Sequence, residues 1–339
     1  MQRRTFQLLV AGAAVSAAAA GAALSTGDRT LGRASSGERA LPGLADKLGA
    51  LGRMRITRGS MTTNFAMTDG HWTVVEKGNY PAADDRVRRL LVGLAELQLV
   101  EPKTDRAELL PRLDLDDPAN GRSTLVAVQD RTGAQVADVV IGRRRPSPLG
   151  TAGSGDDAGL YIRKAKSDQA WLARGAVDVS GGVLDWLDRR VVDLPAARVA
   201  AIVLTAPDGA AAVLTRNSRD ADFALDGAAT APDPKTVAPL AGALAALDLD
   251  DVKPRSELAI PIEGAATAAF TTFGGMIVGV RLSPPGDADW LTLDATGFGE
   301  AASAAAAFDG QLARWSYRIP ADRAKLLRTT LADLRPHGS

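Results

Sequence analysis

The sequence predicts an α+β protein made of repeated modules, each a set of antiparallel strands followed by an amphipathic helix. Three observations predict it. Short runs alternate apolar and polar residues with the period of two that a half-buried strand requires. Asp69-Gly70 and Asp208-Gly209 are hairpin signals, and hairpins imply antiparallel pairing through short connections. Two leucine ladders, offset by 150 residues, carry apolar side chains three and four apart, which is one face of a helix.

At the N-terminus, Arg3-Arg4 precedes an uncharged run, and Phe6 to Leu24 is almost wholly Phe, Leu, Val, Ala and Gly. A basic flank before an apolar run predicts a signal peptide or a membrane anchor over residues 1–26, and Arg3-Arg4-Thr5-Phe6 is similar to a twin-arginine export signal. The Gly- and Ser-bearing stretch over 27–45 reads as a linker. With the arginines inside, the expected localisation is the bacterial cytoplasmic membrane, held by this anchor with the main part extracytoplasmic, or export if the segment is cleaved.

The first module is expected over 46–195. Met54 and Ile56 alternate with Arg53 and Arg55, and Asn64 to Met67 supplies a partner strand. His71 to Val75 returns after the Asp69-Gly70 turn, with Trp72 and Val74 on one face. Asp84 and Asp85 stand where a helix dipole favours negative charge, ahead of the ladder Val87, Leu90, Leu91, Leu94, Leu97. Ala107–Leu113 reads as a short helix or turn; strands follow at 124–128, 136–141, 160–163 and 170–173, then a short helix at 183–188. Residues 146–158 are a loop rich in Gly, Ser and Pro.

The second module is expected over 196–333. Val199, Ile202 and Leu204 open it, Ala211 to Thr215 is a strand, and Phe223 stands where Trp72 stood. Leu240, Leu244, Leu247 and Leu249 repeat the ladder of Leu90, Leu94, Leu97 and Leu99. The shared order of turn, aromatic, proline and ladder points to an internal duplication. Strands at 276–280 and 290–293, an alanine-rich helix near 299–308, a strand at Trp315 to Ile319 and a helix over 324–334 complete it, before a tail over 334–339.

The chain has 339 residues, 40 basic and 40 acidic side chains, two histidines and no cysteine. Zero formal charge gives no footprint for nucleic acid. Absence of cysteine excludes disulfides and thiolate chemistry, and histidines only at 71 and 337 leave no His/Cys zinc set. There is no P-loop, no Gly-x-Ser-x-Gly elbow, and no dinucleotide context around Gly150 to Gly159. His71 is expected on the strand surface. Asp114, Asp116, Asp117 and Asp248, Asp250, Asp251 lack the glycine and distal glutamate of a calcium loop, so they read as turn and helix-end residues. Asp185 and Asp188 share a short helix beside Trp186, but paired-carboxylate chemistry needs a cleft as well. Arg143, Arg144 and Arg145 are the strongest basic cluster, a solvated strand end or a contact for lipid headgroups or an acidic partner. No catalytic, cofactor or metal residue is assigned.

Three blocks carry a resemblance: GHWTVVEKGNYPAADDRVRRLLVGLAELQLVEPKT from Gly70, GLYIRKAKSDQAWLARG from Gly159 and DWLDRRVVDLPAARVAAIVLT from Asp185. Together they resemble the bacterial family called domain of unknown function 4340, over roughly Leu44 to Leu334. The resemblance implies an exported or membrane-anchored protein, in some members near components of gliding-motility-type ABC transport systems, with no assigned catalytic residues. The expected function is therefore a non-catalytic exported scaffold or accessory of a membrane transport complex, not an enzyme. A cell-envelope ligand- or glycan-binding module is the alternative, for which Trp171, Trp186, Trp290 and Trp315 would line a cleft, although core packing is the better reading of these four; an uncharacterised hydrolase ranks third.

Overall fold

Two antiparallel sheets carry the fold, described in this computed structural model over residues 37–119, 121–145, 159–286 and 288–335. The first half runs β1 (Leu51–Arg58), β2 (Met61–Thr68), β3 (His71–Val74), β4 (Tyr80–Pro81), β5 (Gln98–Pro102), β6 (Thr124–Asp130), β7 (Gln135–Arg144), β8 (Gly159–Lys164) and β9 (Ala170–Arg174). These nine form one sheet in the order β4-β3-β2-β1-β6-β7-β8-β9-β5. The second half runs β10 (Arg190–Val192), β11 (Val199–Thr205), β12 (Ala211–Thr215), β13 (Ala224–Leu225), β14 (Leu247–Asp248), β15 (Asp251–Pro254), β16 (Ala266–Thr272), β17 (Met276–Leu282), β18 (Trp290–Gly297) and β19 (Trp315–Arg318). Eight of them form a sheet in the order β13-β12-β11-β16-β17-β18-β19-β15, while β10 and β14 pair separately. The helices are α1 (Leu44–Lys47), α2 (Asp84–Glu96), α3 (Pro234–Ala241), α4 (Ala301–Leu312), α5 (Ala321–Leu327) and α6 (Leu331–Leu334). The chain is thus an α+β protein with antiparallel sheets, as its hairpin signals require.

Local sequence explains the elements. Asp69 and Gly70 both take positive φ, 51° and 86°, the requirement of the tight hairpin between β2 and β3. Val87, Leu90, Leu91 and Leu94 are the buried stripe of α2, and Asp84 and Asp85 occupy its first turn. Gly93 lies inside this helix because the chain crosses it there: a Cβ would sit 2.1 Å from the Ala176 carbonyl oxygen. Helix α3 is shorter, 8 residues against 13, started by Asp233 and Pro234 and ended at Gly242. The helix expected over 324–334 is two helices, broken between Leu327 and Leu331, where Thr330 and Asp333 form a capping box that starts a new turn.

Two other expectations meet a different structure. Of the stretch read as a linker, residues 37–45 pack against the first half: Ala40, Leu41 and Leu44 are buried, and the Ala40 N–H donates to the Leu97 carbonyl at 2.7 Å. The expected transmembrane helix, and the membrane-anchored localisation drawn from it, are corrected: no helix among the described residues is long and apolar enough to cross a membrane. The longest, α2 and α4, have 13 and 12 residues, against roughly 20 for a bilayer. The Phe6–Leu24 run itself lies outside the described residues, as do the 146–158 loop and the tail beyond 335.

One hydrophobic cluster runs through both halves, from Leu51, Phe65 and Trp72 to Phe270, Leu293 and Tyr317. The junction is specific. Tyr80 packs edge-on against Trp315 at 5.0 Å and near Tyr317 at 6.3 Å. Lys77 Nζ meets Asp251 Oδ1 at 2.5 Å, with each side chain 19% exposed. A Cβ on Gly78, whose φ is +67°, would lie 2.4 Å from Pro254 Cγ.

Candidate functional site

Most of the acidic residues singled out in the sequence are used locally, while Asp116 Oδ1 is buried with no hydrogen-bond partner among the described residues. His71 Nδ1 lies 3.3 Å from Asp84 Oδ2 at the surface. Asp114 pairs with Arg122 at 2.8 Å, and Asp117 accepts the Ala119 N–H. Asp248, Asp250 and Asp251 are drawn apart by Arg190, Arg189 and Lys77 at 2.6, 3.4 and 2.5 Å. Asp185 accepts the Gly182 N–H at 2.8 Å, and Asp188 accepts that of Arg190 at 3.3 Å. Among the described residues, no three His, Cys, Asp or Glu side chains form a group that could hold a metal ion.

Asp188 is the carboxyl whose environment resists ionisation. Burial, followed by the nearby charges of Asp84 and Asp248, raises its pKa against the hydrogen bond from Arg190. A raised carboxyl pKa means that ionisation opposes folding: the cost is absent below the ordinary aspartate value and present above the folded one. Asp188→Asn, whose Oδ1 still accepts the Arg190 N–H, is therefore expected to raise the melting temperature at pH 7. Melts at decreasing pH should show the gain shrink toward nothing near pH ~3.5, below the ordinary aspartate range.

The tryptophans are structural anchors. Trp186 and Trp315 are 1% and 8% exposed, while Trp171 and Trp290 lie half-buried on different sheets. The aromatic cleft of the alternative reading therefore does not assemble from these four, and core packing, the preferred reading, holds for Trp186 and Trp315.

A cavity of about 270 Å³ forms at one end of the first sheet, where Arg58, Arg122, Arg143 and Arg144 meet Asp114 and Asp178. A bulge between Ile141 and Arg144 on β7 re-aims its last residues. Gly142 lets the 113–114 turn lie on the strand: its Cβ would sit 2.3 Å from the Leu113 carbonyl oxygen. The Arg144 guanidinium donates to the Val177 carbonyl, and Arg143 lies 5.8 Å from the Tyr161 ring. Hydrogen bonds from the Ser180 side chain and backbone, then the charges of Arg86 and Arg144, hold Asp178 below the usual carboxylate range. Of the arginine cluster seen in sequence, Arg143 and Arg144 line this space; Arg58 and Arg122 join from distant positions that sequence spacing does not link. A second cavity, of about 440 Å³, is apolar and lies against Phe223, Val237 and Ala241, with Arg216 stacked on Phe223 at 4.6 Å.

The outer face of the second sheet is distinctive. Strand register sets three rows across β12, β11, β16 and β17: Thr215, Ala201, Thr271, Ile277; Val213, Val203, Ala269, Gly279; and Ala211, Thr205, Thr267, Arg281. Arg281 is the one charge in this grid, and Val203 is 36% exposed at its centre. The Asp294 carboxylate leans over Gly279 and closes the far side. On the first sheet, β2, β1, β6 and β7 present Ala66, Arg53, Gln129, Gln135; Asn64, Arg55, Ala127, Asp138; and Thr62, Thr57, Leu125, Val140. The first two rows of that face are charged and amide-rich, and its third row runs under Leu110 and Leu115, which cover Val140.

The family model described as Domain of unknown function (DUF4340) matches residues 72–259. No curated protein and no solved structure matches the chain.

Proposed function

The chain belongs to the DUF4340 family, whose description carries no activity, and we propose that it is a non-catalytic scaffold, an accessory subunit that docks a protein partner on the outer face of its second sheet. The observation that carries this reading is the grid centred on Val203, which holds a single charge, Arg281, at its corner. Sheet faces turned to water normally carry polar residues, and contiguous apolar surface marks association. Four strands at their usual spacing and three rows along them cover on the order of 400 Å². A stable interface buries about 800 Å² per partner, so the grid suits the centre of one, with Arg281 and Asp294 in its polar rim. A component of a transport complex, as the family resemblance implies, is the partner class proposed.

We infer also that the two halves are copies of one unit, which explains how one face could change role. The orders β3-β2-β1-β6-β7-β8-β9-β5 and β13-β12-β11-β16-β17-β18-β19-β15 correspond strand for strand. The registers support the match: Met54 faces Phe65 as Ile202 faces Leu214. So do the helix starts, where the Ala83 N–H donates to the Trp186 carbonyl and that of Asp233 to the Leu334 carbonyl, at 2.8 and 3.0 Å. On this alignment Arg53, Arg55, Asn64 and Asp138 of the first sheet correspond to Ala201, Val203, Val213 and Gly279 of the second. Polar positions have become apolar ones on the outside, where packing does not demand it.

The test restores the first sheet's chemistry on the second. The variant Ala201→Arg/Val203→Arg is expected to keep its melting temperature within a few degrees and to lose complementation of a deletion strain. Full complementation by the folded variant would sink the docking face. Loss of a concentration-dependent dimer in the variant would make the partner a second copy. A folded variant of one carboxylate, such as Asp188→Asn, that abolishes function would overturn the non-catalytic reading.

A further inference from the structure

We propose that the arginine-lined cavity at the end of the first sheet binds a phosphate group. The site is independent of the docking face, since it belongs to the other sheet. Arg58, Arg122, Arg143 and Arg144 line it, from β1, the turn before β6, and β7. Two carboxylates oppose them, and both are already engaged. Asp114 is held by Arg122 at 2.8 Å. Asp178 accepts the Ser180 N–H at 2.9 Å and lies 3.9 Å from Arg86. Among the described residues, Arg58 and Arg143 pair with no carboxylate, so the four arginines of the lining outnumber its two engaged carboxylates and leave a surplus of positive charge.

The surroundings select the ligand's chemistry. The guanidinium fork presents parallel N–H groups that suit a tetrahedral oxyanion with several acceptor oxygens. Thr124, almost fully buried, also belongs to the wall, and a threonine hydroxyl is a neutral donor. The wall is also fixed in advance. Arg144 is tied to the Val177 carbonyl, and the close approach of the 113–114 turn to Gly142 leaves that side no freedom to collapse. A guanidinium already held, as that of Arg144 is, binds an anion with less ordering cost than a free surface arginine does.

A phosphate of this kind comes either free in solution or as a lipid headgroup, and two probes separate these sources. Inorganic phosphate is titrated into the protein by calorimetry at low salt. Vesicles of phosphatidylcholine, with and without phosphatidic acid, are floated with the protein. Saturable binding to either phosphate probe is expected, and Arg58→Gln/Arg143→Gln should weaken it by about tenfold or more, the usual loss for charge-assisted hydrogen bonds. The control Arg53→Gln/Arg55→Gln removes equal charge from the outer face of the same sheet and should leave binding unchanged. Binding to phosphatidic acid vesicles alone supports the proposal with a headgroup as source. Equal weakening by both double variants, or no binding to either probe, overturns it. All four substituted arginines are exposed, so circular dichroism of each variant should match the parent.

Discussion

Replacing Trp186 with alanine is expected to destabilise the protein by about 3–5 kcal/mol, the range for removing a fully buried large aromatic. Its side chain is 1% exposed and stands edge-on to Phe65 at 5.3 Å, a geometry that aromatic quadrupoles favour. The Arg86 guanidinium lies 4.2 Å over the ring and donates to the Asp185 and Ser180 carbonyls, each at 2.7 Å. The Trp186 carbonyl in turn accepts the Ala83 N–H at the start of α2. Alanine would thus open a cavity, strip Arg86 of its aromatic platform and loosen the segment that closes the helix N-terminus. Urea melts of the alanine and phenylalanine variants check this. Phenylalanine should recover more than half of the loss, because it keeps the Phe65 contact. A loss under about 1 kcal/mol for alanine would remove the packing argument, since even partial collapse leaves a cavity term.

Much of this packing is legible in the sequence, because it is written in short periods. Leu90, Leu91 and Leu94 announce α2, and Asp69-Gly70 announces the first hairpin, through rules that act within one element. Ala211–Thr215 is likewise a strand with both ends as read. What escapes is set by contacts between distant residues. The break between α5 and α6 depends on Thr330 and Asp333 capping a new turn, which competes with a continuous apolar ladder. The burial of Ala40 and Leu41 beside Leu97 reflects a bridge between Arg39 and Gln98, and nothing local marks residues 37–45 for it. The arginine cavity was half legible. Arg143 and Arg144 are adjacent in sequence, whereas Arg58 and Arg122 reach them through the pairing of β1 with β6 and of β6 with β7. The open face leaves a signal in the sequence: the outward half of the alternation in Ala201, Val203 and Thr205 lacks the polarity that Arg53, Arg55 and Thr57 keep. A period of two identifies a strand whichever residues alternate, so the anomaly becomes visible only when neighbouring strands are placed in register.

Tyr80→Ala is expected to cost a comparable amount, about 3–5 kcal/mol, and to do so for both halves at once. Tyr80 belongs to β4 of the first sheet, yet its ring packs on Trp315 and Tyr317 of the second at 5.0 and 6.3 Å. It is 5% exposed, and burial followed by the charge of Asp188 pushes its hydroxyl pKa well above the ordinary tyrosine value. The phenol is therefore neutral throughout the accessible pH range, and its ring is the part that holds the halves together. Lys77 and Asp251 cross the same boundary, but each side chain keeps 19% exposure, so solvent screens that pair more than the aromatic contact. Because one cluster continues from Phe65 through Tyr80 to Tyr317, the two halves share a core. Unfolding should be one transition, followed equally by circular dichroism and by tryptophan fluorescence, whose reporters lie in both halves. The alanine variant should shift that single midpoint. If it instead produced two transitions, with one at the parental midpoint, the halves would be independent domains joined by a dispensable contact. A Tyr80→Phe variant separates ring from hydroxyl: with the ring intact it should stay within about 1 kcal/mol of the parent, the worth of one modest hydrogen bond.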